Sequence, residues 1–473
     1  MHYFKSFLTS RGRYTLPLLA LSFLLLVACG NRVRPPKVEE GVLVYAALNP
    51  VSEELAEQIE KFNTAHSDVR IEIRDYSDEN GVERLLTELS LGWVPDIMEM
   101  YRTGGGDVSF DFYFNRDNSA DDYWMPYRQM AQKGYLEDLW PYIENDPDLG
   151  LDNVLLPPLK ASEVNGGLYM LFGEVAVITL MGPEHIVGNR FGWTLDELLE
   201  TFSTMPLDST VLRCNTTRDG AFFRLLSAQI NQFVDWDTGE TSFDSEEFYK
   251  IVAFLETIPE KFEAPLTKQQ VYEECAQRML EGEQMLEIAS LEMVADVARL
   301  DTYFMDRAIF VGYPTVDGSL GSMFTLHRGI LSMSATCQNK ETAWEFMRPI
   351  LAKEYGASIV SYQHQQAWMK IPVNLKDYRA GNVTDLDNPH MYFAGPSGVY
   401  YPKFVQLGPI KDREYITRFD EVVQNTTQIY WPDDELANIV WECLGPYFAG
   451  DRTMEDTVRM LDSRVGLYVS EMR

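Results

Sequence analysis

The residues of this chain that could take part in chemistry are mostly carboxylates. The sequence holds 72 Asp and Glu residues against 40 Lys and Arg, but only 6 His. Paired carboxylates can act as general acid and base, yet so many acids bring some pair together by chance. No HExxH, GxSxG or SxxK pattern is present, so the usual signatures of metal hydrolases and serine nucleophiles are missing. The sequence therefore predicts no catalytic residue, no metal site and no cofactor.

Cys29 is the residue with the clearest predicted chemistry. It follows Leu26-Val27-Ala28, the end of an apolar run over residues 16–27, and three basic residues precede that run. A basic start, an apolar run and a small residue before the cut are typical of a secretory signal. The cysteine after the small residue resembles the lipobox of bacterial lipoproteins, whose cysteine sulfur takes a diacylglycerol and becomes the mature N-terminus.

We therefore predict a lipoprotein signal peptide over residues 1–28, lipidation of Cys29, and a short tether over residues 29–40. The alternatives are a membrane-spanning anchor or a chance cysteine in a plain signal peptide. A spanning helix needs about 20 apolar residues, and this run is shorter. Acyl chains would hold the protein on the extracytoplasmic face of the cell membrane.

The overall charge limits the partners that this chain can have. The formal net charge is −32, and removal of the basic signal peptide makes the mature part more negative. A strongly negative surface repels phosphate backbones, so nucleic acid is excluded as a predicted partner. Besides Cys29, the widely separated cysteines form no CxxC pair, and spacing alone leaves their disulfide state open. They are Cys214, Cys275, Cys337 and Cys443.

The elements that must position any site follow an α/β pattern. An apolar strand over residues 42–47, a helix capped by Ser52 and an alternating strand over 69–73 come first. A helix over 82–91 and a buried strand over 96–100 follow. Strand, helix, strand, helix, strand predicts a layered unit with parallel pairing.

The later sequence predicts a second α/β unit and a return to the first. Helices are predicted over residues 222–233, 248–257, 341–352 and 453–472, and strands over 284–290 and 329–334. Gly104-Gly105-Gly106 follows a strand without the GxxxxGK[ST] pattern, so we interpret it as a flexible loop. The segment 235–239 is interpreted as a turn in which aspartates bond their own backbone.

Several short motifs, in their order and spacing, resemble the extracellular solute-binding proteins of ABC importers, in the family whose best-known members bind oligosaccharides. They include Gly92-Trp93-Val94-Pro95-Asp96-Ile97, the segments 134–139 and 192–198, Gly312-Tyr313-Pro314-Thr315 and Ala343-Trp344-Glu345-Phe346. Trp441-Glu442-Cys443 departs from that pattern, because relatives tend to carry paired acids there. The resemblance covers nearly all of the mature chain.

The resemblance implies an α/β, two-lobed periplasmic-binding-protein-like fold of type II, with a cleft between the lobes and a hinge. We assign lobe I to residues 41–156 and 315–372, and lobe II to residues 157–314 and 373–473. The lobes are expected to rotate about crossovers near Pro157-Pro158 and Gly312-Tyr313-Pro314. Closing on a ligand by hinge motion is the usual behaviour of this architecture.

Ligand contacts are predicted from loops at the carboxyl ends of strands. Aromatic rings would stack on the apolar faces of a sugar, while carboxylates and amides would bond its hydroxyls. Trp431 also resembles, in position, the stacking tryptophan of oligosaccharide binders, although packing of its helix is an equal alternative. The predicted ligand-binding residues are Asn49, Tyr101, Phe172, Glu174, Glu292, Tyr313 and Trp431.

The resemblance implies a binding protein rather than an enzyme. It would capture a small solute, in the first place a sugar or oligosaccharide, and deliver it to an ABC permease driven by a separate ATPase. Two other hypotheses remain open at this point: a surface-tethered glycan hydrolase, and a lipoprotein that only senses or scaffolds. The sequence identifies neither the ligand nor the presence of an outer membrane.

Overall fold

A computed structural model gives the fold of most of the chain. It describes residues 40–102, 123–212, 216–235, 238–261, 277–304, 306–326, 329–352, 371–380, 391–393, 404–406, 413–431 and 435–472. Residues 1–39, which include the predicted signal peptide and Cys29, lie outside the described residues, as do the glycine run 104–106, Cys214 and Cys275. The predictions made for those positions stay predictions.

The first sheet has four strands: β1 (Val42–Ala47), β2 (Arg70–Asp75), β3 (Ile97–Glu99) and β10 (Leu331–Met333). Their order in the sheet is β10-β3-β1-β2. β1 pairs in parallel with β2 and β3, and β10 pairs antiparallel with β3. This arrangement confirms the predicted parallel unit, and β10 confirms that the chain returns to it.

Helices α1 (Glu53–Ala65) and α2 (Gly81–Ser90) connect the parallel strands. Ser52 caps α1 as predicted, because its side chain accepts a hydrogen bond from the backbone N–H of Leu55. Short helices follow on the same half of the chain. They are α3 (Tyr127–Gln132), α4 (Trp140–Asn145) and α5 (Leu156–Ala161).

The second sheet is built around β6 (Glu174–Pro183). Its other strands are β7 (Glu287–Leu291), β8 (Ala308–Phe310), β9 (Met323–Leu326), β11 (Ile371–Pro372) and β14 (Gln428–Tyr430). The order is β11-β6-β9-β14, and β7 and β8 also pair with β6. Nine of the ten residues of β6 are buried, as expected for a strand covered on both faces.

Alternate residues of β6 enter two different cores. Val175 and Val177 join a core that also holds the first sheet, whereas Ile178 and Leu180 face a second core. Helices cover both faces. They are α6 (Glu184–Val187), α7 (Leu195–Ser203), α8 (Arg218–Ala221), α9 (Glu246–Glu256), α10 (Val294–Phe304), α11 (Lys340–Met347), α12 (Pro349–Ala352), α13 (Glu414–Asn425), α14 (Glu435–Phe448) and α15 (Met454–Met472).

Two short hairpins stand apart from these sheets. One pairs β4 (Tyr101–Arg102) with β5 (Tyr123–Trp124), and the other pairs β12 (Met391–Phe393) with β13 (Phe404–Gln406). The β4–β5 hairpin begins two residues after β3, so it extends the carboxyl edge of the first sheet.

Most local predictions agree with the structure. Thr194 caps α7 in a full capping box, and the Asp235 carboxylate accepts the backbone N–H of Thr238 at 2.9 Å. The segment 222–233 is helical as predicted, but irregular: after α8, a π-helical turn, Phe222–Leu226, leads into a 3-10 segment, Ser227–Phe233. Cys337 and Cys443, the cysteines within the described part of the chain, are free and buried.

The sheets show where the chain changes its strand partners. Gly312-Tyr313-Pro314 connects β8 to β9, two strands of the same sheet, and its role as a crossover between lobes stays a prediction. The chain passes between sheets at Leu171, which bridges to Leu331, just before β6, and again between β9 and β10. Within the segment 315–372 predicted for lobe I, β9 and β11 pair with the second sheet.

Candidate ligand-binding site

A buried carboxylate shapes the loop at the end of β1. Glu99, the last residue of β3, is 2% exposed. Its Oε2 accepts the backbone N–H groups of Leu48 and Asn49 at 2.8 and 2.9 Å, and its Oε1 accepts the Tyr45 hydroxyl at 2.9 Å. Burial raises the pKa of Glu99 to about 7, while the donors of Asn49, Tyr45 and Leu48 oppose that rise. Glu99 therefore clamps the β1 loop against β3.

Asn49 connects Glu99 to the β4–β5 hairpin through hydrogen bonds. Its Nδ2 donates to Glu99 Oε2 and to the backbone oxygen of Tyr101, both at 2.8 Å. Asn49 is 5% exposed, so in this conformation its amide bonds protein groups and is shielded from solvent. The predicted residues Asn49 and Tyr101 are thus neighbours, and Asn49 fixes the backbone that carries the Tyr101 ring.

Four aromatic rings meet beyond this clamp, and we call them the ring cluster: Tyr101, Trp124, Tyr127 and Trp431. The Trp124 ring lies 4.5 Å from that of Tyr101 and 4.7 Å from that of Trp431, centroid to centroid. The Tyr127 ring lies 4.5 Å from Trp431 on another side. These distances are typical of favourable aromatic contacts.

The ring cluster joins the two sheets. Tyr101 and Trp124 belong to the hairpin beyond β3 of the first sheet, whereas Trp431 follows β14 of the second. Trp431 is partly buried, while the other three rings are buried. The structure therefore places one partly exposed indole from one sheet against rings attached to the other.

Two polar features accompany the ring cluster. The indole N–H of Trp124 is buried and has no hydrogen-bond partner among the described residues. The Arg128 Nε donates to the Tyr127 hydroxyl at 3.1 Å. Burial raises the pKa of Tyr127, and the Arg128 charge partly offsets that shift.

The strand register brings two further predicted residues to the same end of the second sheet. Glu174 is the first residue of β6, and Glu292 follows β7, whose Leu291 pairs with Val177. Trp431 follows Tyr430, which pairs with Thr325 of β9, and Thr325 pairs with Ala176. Both glutamates are partly buried, and the backbone N–H of Glu292 donates to Asp296 Oδ2 at 2.8 Å.

The structure does not bring Phe172 and Tyr313 to this site. Phe172 is fully buried in the core of the first sheet, and Tyr313 is 3% exposed in the second core. Sequence reasoning placed them in the cleft because each follows or precedes a strand. Both side chains are buried in the conformation described, and their role in ligand binding stays a prediction.

Trp124 and Tyr127 are the ring-cluster members that sequence reasoning missed. The signal available was the aromatic enrichment of residues 111–127. Pairing of Tyr101 with Trp124 depends on a hairpin that no turn motif identifies. Trp344, which belongs to one of the motifs that carry the resemblance, is 6% exposed, and its indole N–H donates to Asp146.

A cavity of about 350 Å³ lies elsewhere, beside Trp140, Glu144 and Lys160. Lys160, on its lining, contacts Glu163 at 2.8 Å and lies 4.6 Å from the Trp140 ring centroid. The Trp140 indole N–H donates to the same glutamate at 2.8 Å. These two donors of the lining already have partners, whereas the Trp124 N–H of the ring cluster has none among the described residues, so we regard the ring cluster as the better ligand candidate.

Two further findings bear on the kind of site. No group of three or more His, Cys, Asp or Glu side chains suited to a metal ion occurs in the described ranges. Among the same residues, no helix is long and apolar enough to cross a membrane.

Comparison with known proteins gives the fold but not a family. No family model and no curated protein matches the chain. A periplasmic oligogalacturonide binding protein from Yersinia enterocolitica matches with a TM-score of 0.52 and 12% identity, over 91% of this chain and 100% of that one. The sugar-binding protein MalE from Xanthomonas citri matches with a TM-score of 0.51 and 12% identity, over 91% and 98%. These matches confirm the predicted two-lobed, periplasmic-binding-protein-like α/β fold.

Proposed function

We propose that this chain is an extracytoplasmic solute-binding lipoprotein that captures a carbohydrate and delivers it to the permease of an ABC importer. The observation that carries the proposal is the ring cluster, in which Trp431, after a strand of one sheet, contacts Trp124, whose ring contacts Tyr101 beyond the other sheet. A ligand held there would contact both halves of the molecule at once.

The chemistry of the ring cluster suits a sugar. A pyranose presents an apolar C–H face that stacks on an indole, and a rim of hydroxyls that need donors and acceptors. Trp431 supplies a partly exposed ring, and Trp124 supplies a buried N–H without a partner among the residues described. Glu174 and Glu292 would supply acceptors from the second sheet.

The fold supports the same proposal. Two solved structures that share it are a periplasmic oligogalacturonide binding protein and a sugar-binding protein. The sequence has no phosphate-binding loop pattern, so the proposed importer would draw its energy from a separate ATPase.

A ligand screen tests capture directly. We expect at least one neutral or acidic oligosaccharide to raise the unfolding temperature, since a ligand at 100 times its Kd adds about 2.7 kcal/mol to the free energy of unfolding. Calorimetry then gives the Kd, and chromatography of the recovered sugar shows whether it is intact. Release of cleaved products would favour the hydrolase, and the absence of any carbohydrate ligand would contradict the proposal.

Closure is tested by small-angle X-ray scattering. Because the ligand would bridge the two sheets, we expect a smaller radius of gyration with saturating oligosaccharide than without it. An unchanged scattering curve, with binding established by calorimetry in the same buffer, would contradict closure.

Anchoring is tested at Cys29, which lies outside the described residues. We expect Cys29→Ser to abolish lipidation and to release the protein from the membrane fraction. A variant that stays in the membrane fraction at its unprocessed mass would identify residues 1–28 as a spanning anchor.

A further inference from the structure

Arg128 lies beside the ring cluster, and most of its donors have no partner in the described part of the chain. It is exposed in the first turn of α3, and its Cζ lies 5.8 Å from the Tyr127 ring centroid. Within the described ranges, its Nε alone has a hydrogen bond, to the Tyr127 hydroxyl. No carboxylate pairs with Arg128 among the residues the structure describes, although the chain holds 72 acids. Its two terminal nitrogens therefore remain available to a ligand.

Arg128 and Trp431 share a neighbour. The Tyr127 ring contacts Trp431 at 4.5 Å and carries the hydroxyl that orients Arg128. The guanidinium is thereby held near the same ring that supports the partly exposed indole. A planar guanidinium with free terminal nitrogens matches a carboxylate in two parallel hydrogen bonds.

Among the described residues, Arg102 is a second arginine close in sequence to the ring cluster, but it lies on a different face. On β4 it neighbours Tyr101, and adjacent strand residues point to opposite faces. The Arg84 guanidinium, the backbone N–H of Asn80 and, at longer range, Arg102 lower the pKa of Asp78. Arg102 therefore belongs to that surface, which leaves Arg128 as the arginine beside the ring cluster among the residues that the structure describes.

Trp124 adds an independent observation that points to a ligand. Its side chain is 8% exposed, and its N–H has no partner within the described part of the chain. A buried donor without an acceptor costs about 1–3 kcal/mol. An acceptor oxygen on a ligand between the rings would remove that cost.

We propose that the ring cluster takes an acidic saccharide, a uronate-containing oligosaccharide, whose pyranose stacks on Trp431 while its carboxylate binds Arg128 and an oxygen accepts the Trp124 N–H. This inference rests on the proposed carbohydrate-binding function and names the chemical class of its ligand. A uronate suits the geometry because its carboxylate is attached directly to the ring that stacks.

The negative net charge does not oppose this assignment. At physiological ionic strength the Debye length is about 8 Å, so carboxylates farther from the site are largely screened. A guanidinium in direct contact is not screened in that way, and a hydrogen bond between charged groups contributes about 1.5–3 kcal/mol. The local cation therefore decides the affinity for an anion.

Matched ligands test the assignment. Galacturonate and glucuronate trisaccharides are each compared with their methyl esters, which keep the sugar and remove the charge. Calorimetry is run on the wild type, Arg128→Gln, Arg128→Lys and Lys133→Gln. Lys133 is an exposed cation at the end of the same helix and serves as the charge-matched control.

We expect the wild type to bind at least one acid about tenfold or more tightly than its ester, in line with a charged hydrogen bond. Arg128→Gln should bring that ratio close to one by weakening only the acid, Arg128→Lys should keep part of it, and Lys133→Gln should keep all of it.

Three results would overturn the inference. Equal or tighter binding of the esters would exclude carboxylate recognition, and an equal loss for acid and ester in Arg128→Gln would make Arg128 a support for Tyr127. Binding of neutral oligosaccharides alone would overturn the inference and leave the proposed function standing. Binding of no saccharide at all would overturn both.

Discussion

The molecule contains two tryptophan-centred groups of aromatic rings that resemble each other in composition. In the ring cluster, Trp431 contacts Trp124 and Tyr127. In the second core, Trp441 contacts Phe222, Phe223 and Phe448 at 5.1, 5.9 and 5.8 Å, and we call these four rings the helix cluster. Both central indoles are partly buried.

The two clusters differ in what surrounds their rings. The helix cluster is built from helical segments on one face of the second sheet, and its nearby Arg218 Nε already donates to the backbone oxygens of Leu255 and Ile258. The ring cluster joins strand ends of both sheets. Aromatic composition is therefore similar in the two clusters. They differ in position and in the Trp124 N–H, which has no partner among the described residues, and on these two differences we propose that the ring cluster binds the ligand.

The largest expected effect concerns stability in the helix cluster. Phe222 is fully buried there, so Phe222→Ala should lower the free energy of unfolding by about 3–5 kcal/mol. Saccharide affinity of the folded variant should stay within twofold of wild type, about 0.4 kcal/mol. Denaturant unfolding and calorimetry check the two parts. A selective loss of affinity would show that the helix cluster also binds ligand.

The next effect concerns the clamp beneath the ring cluster. The pKa of Glu99 is raised from 4.5 to about 7 in the folded protein. Between pH 4.5 and pH 7, the folded state therefore keeps the Glu99 proton, whereas the unfolded state releases it. The contribution of Glu99 to stability is therefore complete below about pH 4.5 and falls as pH rises to 7, by up to about 3 kcal/mol.

Glu99→Gln removes this titration. We expect the stability of the variant relative to wild type to improve steadily as pH rises from 4.5 to 7 and to level off above 7. Urea unfolding across that range measures the difference. A difference that does not change with pH would contradict a raised pKa for Glu99.

A smaller expected effect, on saccharide affinity, distinguishes Trp431 from Trp441. Trp431→Ala should weaken saccharide binding by more than about 1 kcal/mol, the scale of an aromatic contact, because its ring is the partly exposed member of the ring cluster. Trp441→Ala, matched in residue type and burial, should leave the Kd unchanged. Calorimetry measures both. Unchanged affinity in a Trp431→Ala protein with a normal melting curve would assign Trp431 to packing.

The smallest effect concerns a helix cap remote from both clusters. Thr194 accepts the Glu197 N–H and closes the capping box of α7, so Thr194→Ala should cost about 1 kcal/mol of stability. Saccharide affinity should not change, since α7 contributes to the second core alone. A lower affinity at equal folded fraction would show that the second core is coupled to the ligand site.

Sequence reasoning was strongest where one local signal decides the structure. The sequence predicts Ser52 as a cap, and Thr194 acts in the same way, because a side-chain oxygen three residues before a free N–H acts locally. Parallel pairing of β1 with β2 and β3 followed from strand–helix alternation. These features depend on neighbours along the chain.

It was weaker where the structure depends on distant partners. Phe172 and Tyr313 lie next to strands, as binding residues would, but distant layers cover them. The contact of Trp124 with Trp431 joins segments about 300 residues apart, and no local pattern encodes it. The passage between sheets near Leu171 depends on its bridge to Leu331, which likewise has no local signature.

The central claim is that the ring cluster, and not the helix cluster, receives the saccharide. The most direct test is ¹⁹F NMR of protein labelled with 5-fluorotryptophan at its nine tryptophans, assigned by single Trp→Phe variants. With saturating oligosaccharide, we predict that the Trp124 and Trp431 resonances shift while the Trp441 resonance stays in place. A shift of Trp441 with Trp124 and Trp431 unchanged would contradict the account.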